Sequence, residues 1–308
     1  MLFKDVIGQA EAKQQLVEMV QHNRLSHALL FLGKEGSGAL SLAMAFAQYV
    51  SLLPNKNETQ EASLFGEPVE LKLPSTPDEA DAWMQKQASF SKAEQLVHPD
   101  IHFSYPVVTK KPGTPPISAD YITEWREFIH QLPYGNIYDW LQFIGAENKQ
   151  GNITASECND IIRKLNLKSF ESGYKILVMW MPEYLGKEGN KLLKMIEEPP
   201  ADTLFILVAE NEGEILSTIL SRCQLIKIPA LEANDIEQNL LSKKACSVEQ
   251  AKQIANASDG NYREALNLIQ HADEDFHGLL REWLNATLKN QTITQVKMIE
   301  EIARLGRE

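Results

Sequence analysis

Hydrophobic and polar positions along the chain fall into three patterns. Within residues 8–23, Ala12, Leu16, Met19 and Val20 recur at helical spacing. Residues 28–33, ALLFLG, are a short apolar run closed by glycine, which predicts a buried strand. The turn GKEGSGAL follows, and residues 41–50, SLAMAFAQYV, predict a helix of small residues. Strand, glycine-rich turn and helix in this order form the phosphate-binding arrangement of α/β nucleotide domains. Further on, residues 174–181, YKILVMWM, are apolar throughout, as expected of a central parallel strand covered on both faces. A helix over 190–197 stops at Pro199–Pro200, and residues 203–209, TLFILVA, predict a second central strand. A short helix over 215–221 and a strand over 224–229 complete the alternation. Strands alternating with helices predict an α/β domain with a parallel sheet.

The pattern changes twice. Between residues 54 and 116, Pro54, Pro68, Pro74, Pro77 and Pro99, many acids and few apolar runs predict an irregular insertion. Only its end, residues 101–107, alternates as a strand does. Residues 118–132 predict a helix with Ile122, Trp125 and Ile129 on one face, and Ser156 is the expected N-cap of a helix running to Leu165. After Pro229 strands cease. Residues 231–272 predict three short helices, with Ser247 capping the second and Val248, Ala251, Ile254 and Ala255 as its apolar face. From residue 276, Phe276, Leu279, Leu280, Trp283 and Leu284 begin another helical stripe, and the pattern stops at RLGRE without completing a unit. The expected layout is an α/β domain over 1–230, a three-helix lid over 231–273, and the start of a partial all-α domain over 274–308.

Composition narrows the function. Lys+Arg total 30 against 42 Asp+Glu, a net charge of −12. That balance argues against a chain whose main work is coating DNA, because affinity for the phosphate backbone comes largely from Lys and Arg. Three scattered cysteines, Cys158, Cys223 and Cys246, point to a reducing compartment, and no CxxC zinc pair occurs. The N-terminus has no apolar signal core, and no apolar run reaches the ~20 residues of a membrane span. A cytoplasmic location is expected.

Four segments in order carry a resemblance: RLSHALLFLGKEGSG, NKLLKMIEEPP, TILSRC and GNYREAL. They resemble the clamp-loader branch of the AAA+ proteins, and within it the delta-prime subunits of the bacterial DNA polymerase III clamp loader. The match runs over roughly residues 5–270, with 54–116 outside it. The helix ending in EEPP, followed about twenty residues later by SRC, is its most specific part. The resemblance implies an AAA+ P-loop-type parallel sheet flanked by helices, then a small helical lid and a partial all-α collar that joins subunits in a ring.

The residues at the family's site positions are mixed. Gly33, Gly36 and Gly38 keep the glycine turn, but Ala39 and Leu40 stand where a working phosphate loop has lysine and a Mg²⁺-binding hydroxyl. An alanine and a leucine do neither job, so this is a degenerate Walker A loop, with its backbone N–H groups left for weak anion binding. After the strand at 176–179, where ATPase members carry acids for Mg²⁺, this chain has Trp180, Met181, Pro182 and Glu183. Mg²⁺ takes oxygen ligands, which tryptophan does not supply. Glu183 aligns with the last acid of that motif, and Ala209 stands near the polar residue that senses the γ-phosphate, with Asn211 two residues later.

By contrast, Ser221-Arg222-Cys223 is intact. In the family this arginine reaches the ATP of a neighbouring subunit, so the resemblance implies that Arg222 acts in trans, the other reading being a surface arginine paired with an acid. Arg263 matches the family's lid arginine, and without nucleotide a structural ion pair is the plainer role. Trp180 reads as core packing, and Cys223 and Cys246 as small hydrophobes. Many delta-prime subunits carry a four-cysteine zinc module after the helix at 41–50. Residues 51–116 have no cysteine and only His98 and His102, so no zinc is expected. Neither ATP turnover nor Mg²⁺ is expected. The implied partners are gamma/tau-like ATPase subunits and the clamp-opening delta-like subunit, with primed DNA and the sliding clamp reached through the complex. Two other readings stand beside this one: a divergent active ATPase of the gamma/tau type, and a stand-alone DNA-binding AAA+ module.

Overall fold

A computed structural model describes residues 1–54, 73–110, 113–270, 276–289 and 294–299. The apolar runs become five strands: β1 (Ala28–Gly33), β2 (Ile101–Ser104), β3 (Lys175–Trp180), β4 (Thr203–Ala209) and β5 (Gln224–Ile228). They form one sheet in the order β2-β3-β4-β1-β5, and every pairing is parallel. β3 and β4 are buried along their whole length, which is why both read as unbroken apolar runs. β5 is an edge strand with Gln224, Leu225 and Lys227 exposed.

Helices cover both faces. On one face lies Ala39–Ser51, all thirteen residues of which are buried. Its alanines and serines let it pack closely on the sheet with no polar side to show water. Beside it stands an aromatic block in which Trp125 stacks on Tyr105 at 4.0 Å and meets Trp140 and Trp180 at 5.4 Å each. The opposite face is covered by the helices Ala155–Leu165 and Asn190–Glu197.

Several expectations change. The stretch 54–116, expected to be irregular apart from a strand at its end, contains the helices Pro77–Met84 and Phe90–Glu94 among its described residues, besides the expected strand, the edge strand β2. Pro77 is not a breaker there. It occupies the first turn of a helix whose N-cap, Thr76, accepts from Glu79 N–H. The buried Asp81 carboxylate on that helix accepts from Phe3 N–H at 2.8 Å and Lys4 N–H at 2.9 Å, tying down the N-terminus. Residues 55–72, which carry Pro68, lie outside the described residues.

Thr154, not Ser156, caps the helix Ala155–Leu165, accepting from Glu157 N–H at 3.2 Å. The helix Ile137–Phe143, closed by an Asn136–Asp139 capping box, has no counterpart in the sequence reading. Beyond β5 come the helices Ala233–Ser242, Val248–Ala257 and Tyr262–Gln270. Ser247 caps the second as expected. Ala251 and Ala255 are buried, whereas Val248, in the first turn, is exposed.

The chain divides into two compact units, residues 1–265 and 266–308. In the second, the helix Phe276–Leu288 buries Ala286 and exposes Trp283, Leu284 and Leu288. The side chains of Phe276, Leu279 and Leu280, the rest of the expected stripe, lie outside the described residues.

Candidate functional site

β1 delivers the chain into the glycine turn, and the helix beginning at Ala39 leaves it. Gly36 and Gly38 have φ of 70° and 85°, a region open to glycine and strained for other residues. Space also requires them. A Cβ at Gly36 would collide with Asn261 Oδ1, and one at Gly38 would stand 2.9 Å from Tyr134 Cε1.

The turn is therefore filled from outside. Tyr134 lies against Gly38, its hydroxyl accepts from Ile7 N–H at 2.8 Å, and its ring meets Tyr262 at 4.9 Å. The Gln9 amide donates to Ser37 O at 3.0 Å and to Pro229 O at 2.7 Å. Ser37 N–H turns back to Lys34 O at 3.1 Å. Ala39 and Leu40 are both buried.

The space left, bounded by Gly36, Gly38, Leu40, Tyr134, Trp180 and Ala209 among others, is a cavity of about 30 Å³. That is about one water's share of liquid volume, where ligand pockets run to hundreds of Å³.

Where an ATPase would hold metal acids, the structure places packing and scaffolding. Trp180 is 2% exposed and lies 5.9 Å from Phe128, ring to ring. Glu183 Oε1 accepts from the N–H groups of Glu210 at 2.7 Å and Asn211 at 2.9 Å, fastening the ends of β3 and β4 together. Burial pushes the Glu183 carboxyl up, against those hydrogen bonds. Glu210 is pushed up to about 7, first by burial and then by the carboxylates of Glu35 and Glu183. Ala209 is buried, and Asn211 turns its side chain to Gly213 N–H at 3.0 Å. A more open cavity of about 550 Å³ adjoins these residues, with Glu183, Glu210 and Glu214 on its wall.

Arg263 is saturated by acids. Its Nε and Nη2 grip Asp139 at 2.5 and 2.7 Å, and Nη1 lies 3.4 Å from Glu35. The hydrogen bonds to Asp139 hold the guanidinium above its ordinary pKa, against desolvation. Glu35 also accepts from Asn136 Nδ2 at 3.0 Å and Asn261 Nδ2 at 3.3 Å.

Arg222 lies far along the chain from this cluster, between the helix Ser217–Leu220 and edge strand β5. Its Nε donates to Glu197 at 2.6 Å, Nη2 contacts the same oxygen, and Nη1 donates to Thr218 O at 2.7 Å. Both partners of this ion pair are solvent-accessible, 32% and 43% exposed. Cys223 is partly buried, with its thiol pushed up to about 11 by burial.

The glycine turn and Arg263 are thus brought together, while Arg222 stands apart from them. Sequence reasoning missed Glu35, Tyr134, Asp139 and Glu197. Glu197 sits in the EEPP segment that carried the resemblance, and nothing local shows that it pairs with Arg222. Among the described residues no cluster of His, Cys, Asp and Glu is arranged to hold a metal ion. His98 is buried beside Glu171, and burial lowers the pKa of both His98 and His102. No helix among the described residues is long and apolar enough to cross a membrane.

The five-stranded parallel sheet, its glycine turn and the helices after β5 define a P-loop-type α/β protein. A family model described as DNA polymerase III, delta subunit, matches residues 8–66 and 73–232, and the chain belongs to that family of clamp-loader proteins. It is 24% identical over 263 residues to DNA polymerase III subunit delta' of Bacillus subtilis (strain 168), covering 85% of this chain and 60% of that protein. It is also 24% identical over 276 residues to the tau subunit of the same organism, covering 88% of this chain and 37% of the relative. The matches thus span less than two thirds of either relative's length. Among solved structures, the RuvB Holliday junction branch migration motor of Thermotoga maritima aligns at 15% identity, with a TM-score of 0.45, over 97% of this chain and 71% of its own.

Proposed function

We propose that this chain is a delta-prime-type clamp-loader subunit that does not hydrolyse ATP and presents Arg222 to the nucleotide of a neighbouring ATPase subunit. The observation that carries the reading is the contrast between the two sites. The glycine turn retains about 30 Å³ of space, with Ala39, Leu40 and Trp180 where lysine, hydroxyl and metal acid would act. Arg222, by contrast, is restrained by one solvent-accessible ion pair and two short-range contacts. Such a pair contributes about 0–1 kcal/mol, little enough for a partner's triphosphate to displace Glu197. A guanidinium supplied in trans stabilises charge on the transferring phosphoryl group. The partners of this reading are gamma/tau-like ATPase subunits and a delta-like subunit in the cytoplasm, acting on primed DNA and the sliding clamp. The chain itself carries no zinc, Mg²⁺ or nucleotide in this role.

The test is a loader reconstituted with Arg222→Ala in this chain. The variant folds and assembles, and ATP turnover at the site it serves collapses. Undiminished turnover in that complex would falsify the proposal. The second reading, a gamma/tau-type ATPase, is favoured by the similarity to the tau subunit. Tight Mg-ATP binding and turnover by the isolated chain would establish it instead. The third, a stand-alone DNA-binding module, would show as salt-dependent DNA affinity of the lone chain.

A further inference from the structure

The glycine turn contains a carboxylate in the middle of what would be a phosphate cradle. Glu35 precedes Gly36, and its two oxygens point at three donors from two separate segments. Arg263 Nη1 and Asn261 Nδ2 lie 3.4 and 3.3 Å from Oε1, and Asn136 Nδ2 lies 3.0 Å from Oε2. Asn261 and Arg263 flank the start of the helix that opens at Tyr262. Asn136 and Asp139 belong to the capping box of the helix Ile137–Phe143. Tyr262 N–H also donates to Gly36 O at 3.2 Å. A guanidinium and two amides converging on one anion is how a protein holds a phosphate group.

We propose that Glu35 is an internal anion, taking the place of a nucleotide phosphate and holding Arg263 so that residues 231–265 stay closed against the glycine turn with no ligand. The inference rests on the non-hydrolysing reading and adds a device to it. In a nucleotide-dependent subunit, an arginine on the helical segment gains an anion only when ligand arrives. Here the anion is part of the turn itself, so the contact needs no ligand. Asp139 anchors the other side of Arg263 and fixes the guanidinium plane for the contact. The same carboxylate repels an incoming phosphate, and the cavity of about 30 Å³ admits none while the contact persists.

The test uses the full chain alone, so its outcome is independent of any effect of Arg222 in the loader. Backbone hydrogen exchange is followed over residues 233–265 for wild type, Glu35→Ala and the control Glu214→Ala, each with and without millimolar inorganic pyrophosphate. Glu35→Ala is expected to exchange about tenfold faster there, the factor that follows from losing charge-assisted hydrogen bonds. Pyrophosphate should restore protection to Glu35→Ala and leave wild type and Glu214→Ala unchanged. Unaltered exchange in Glu35→Ala overturns the proposal. So does loosening that pyrophosphate fails to reverse, which would make Glu35 an ordinary salt-bridge partner, or a pyrophosphate response in wild type.

Discussion

The glycine turn and the Arg222 edge come from the same sequence family and meet opposite physical fates. At the turn, the backbone is tied up from within, Ser37 O by Gln9 and Gly36 O by Tyr262, and Arg263 is held by Asp139 and Glu35. Tyr134 and Trp180 fill the remaining space. At the edge, the guanidinium of Arg222 faces solvent and leans on Glu197, itself 43% exposed. A packed site loses binding free energy because a donor such as Arg263 must be taken from its existing partners. An exposed pair retains it, because water already competes with the partner.

The sharpest way to break this contrast is at the edge. Arg222→Ala is expected to slow hydrolysis at the served site of a reconstituted loader by about 10³-fold or more. Arg222→Lys should restore only a minor part of it, because an ammonium lacks the planar fork of donors. In both variants the melting temperature of the isolated chain should stay near wild type. A loss of ATPase accompanied by a large fall in melting temperature would mean that Arg222 acts through folding.

The turn can be challenged by restoring what it lacks. Ala39→Lys combined with Leu40→Thr should create no Mg-ATP binding detectable by calorimetry, because Trp180, Tyr134 and Glu35 still occupy the approach. Both positions are buried, so the double variant should cost about 1–3 kcal/mol in chemical denaturation. Binding gained by this change alone would show that side-chain chemistry, not packing, had closed the site.

A smaller effect concerns Glu210. Its folded-state carboxyl is raised to about 7 from the ordinary 4.5, so the fold favours the protonated form. The stability this gives is fully present below about 4.5 and is lost as pH rises through about 7. Glu210→Gln should remove that decline, gaining on the order of 1–2 kcal/mol over wild type at pH 8 and little at pH 4. Parallel pH–stability curves for the two proteins would contradict it. The smallest effect belongs to Glu197→Gln, which should change stability by under about 1 kcal/mol and leave loader ATPase equal to wild type or faster. Slower ATPase would mean that Glu197 orients Arg222 for its task.

What the sequence by itself determined is most of the frame. The runs 28–33, 174–181 and 203–209 appear as β1, β3 and β4 with ends moved by a residue or less, because strands buried in a parallel sheet must be apolar throughout, and 224–229 appears as the edge strand β5. The glycine turn and the residues at 39, 40, 180, 222 and 263 were legible too, since motif positions are local in sequence. Thr154 in place of Ser156 was a matter of two neighbouring capping residues, which only the backbone separates. The ordered part of 54–116 was hidden because the partners of its apolar residues, such as Tyr49 for Trp83, lie outside the stretch. Tertiary structure alone decided how the two arginines are held. Arg263 meets Asp139 across 124 residues of chain and Arg222 meets Glu197 across 25. Such pairings follow from how the elements pack around the sheet, and no periodicity or local propensity encodes them.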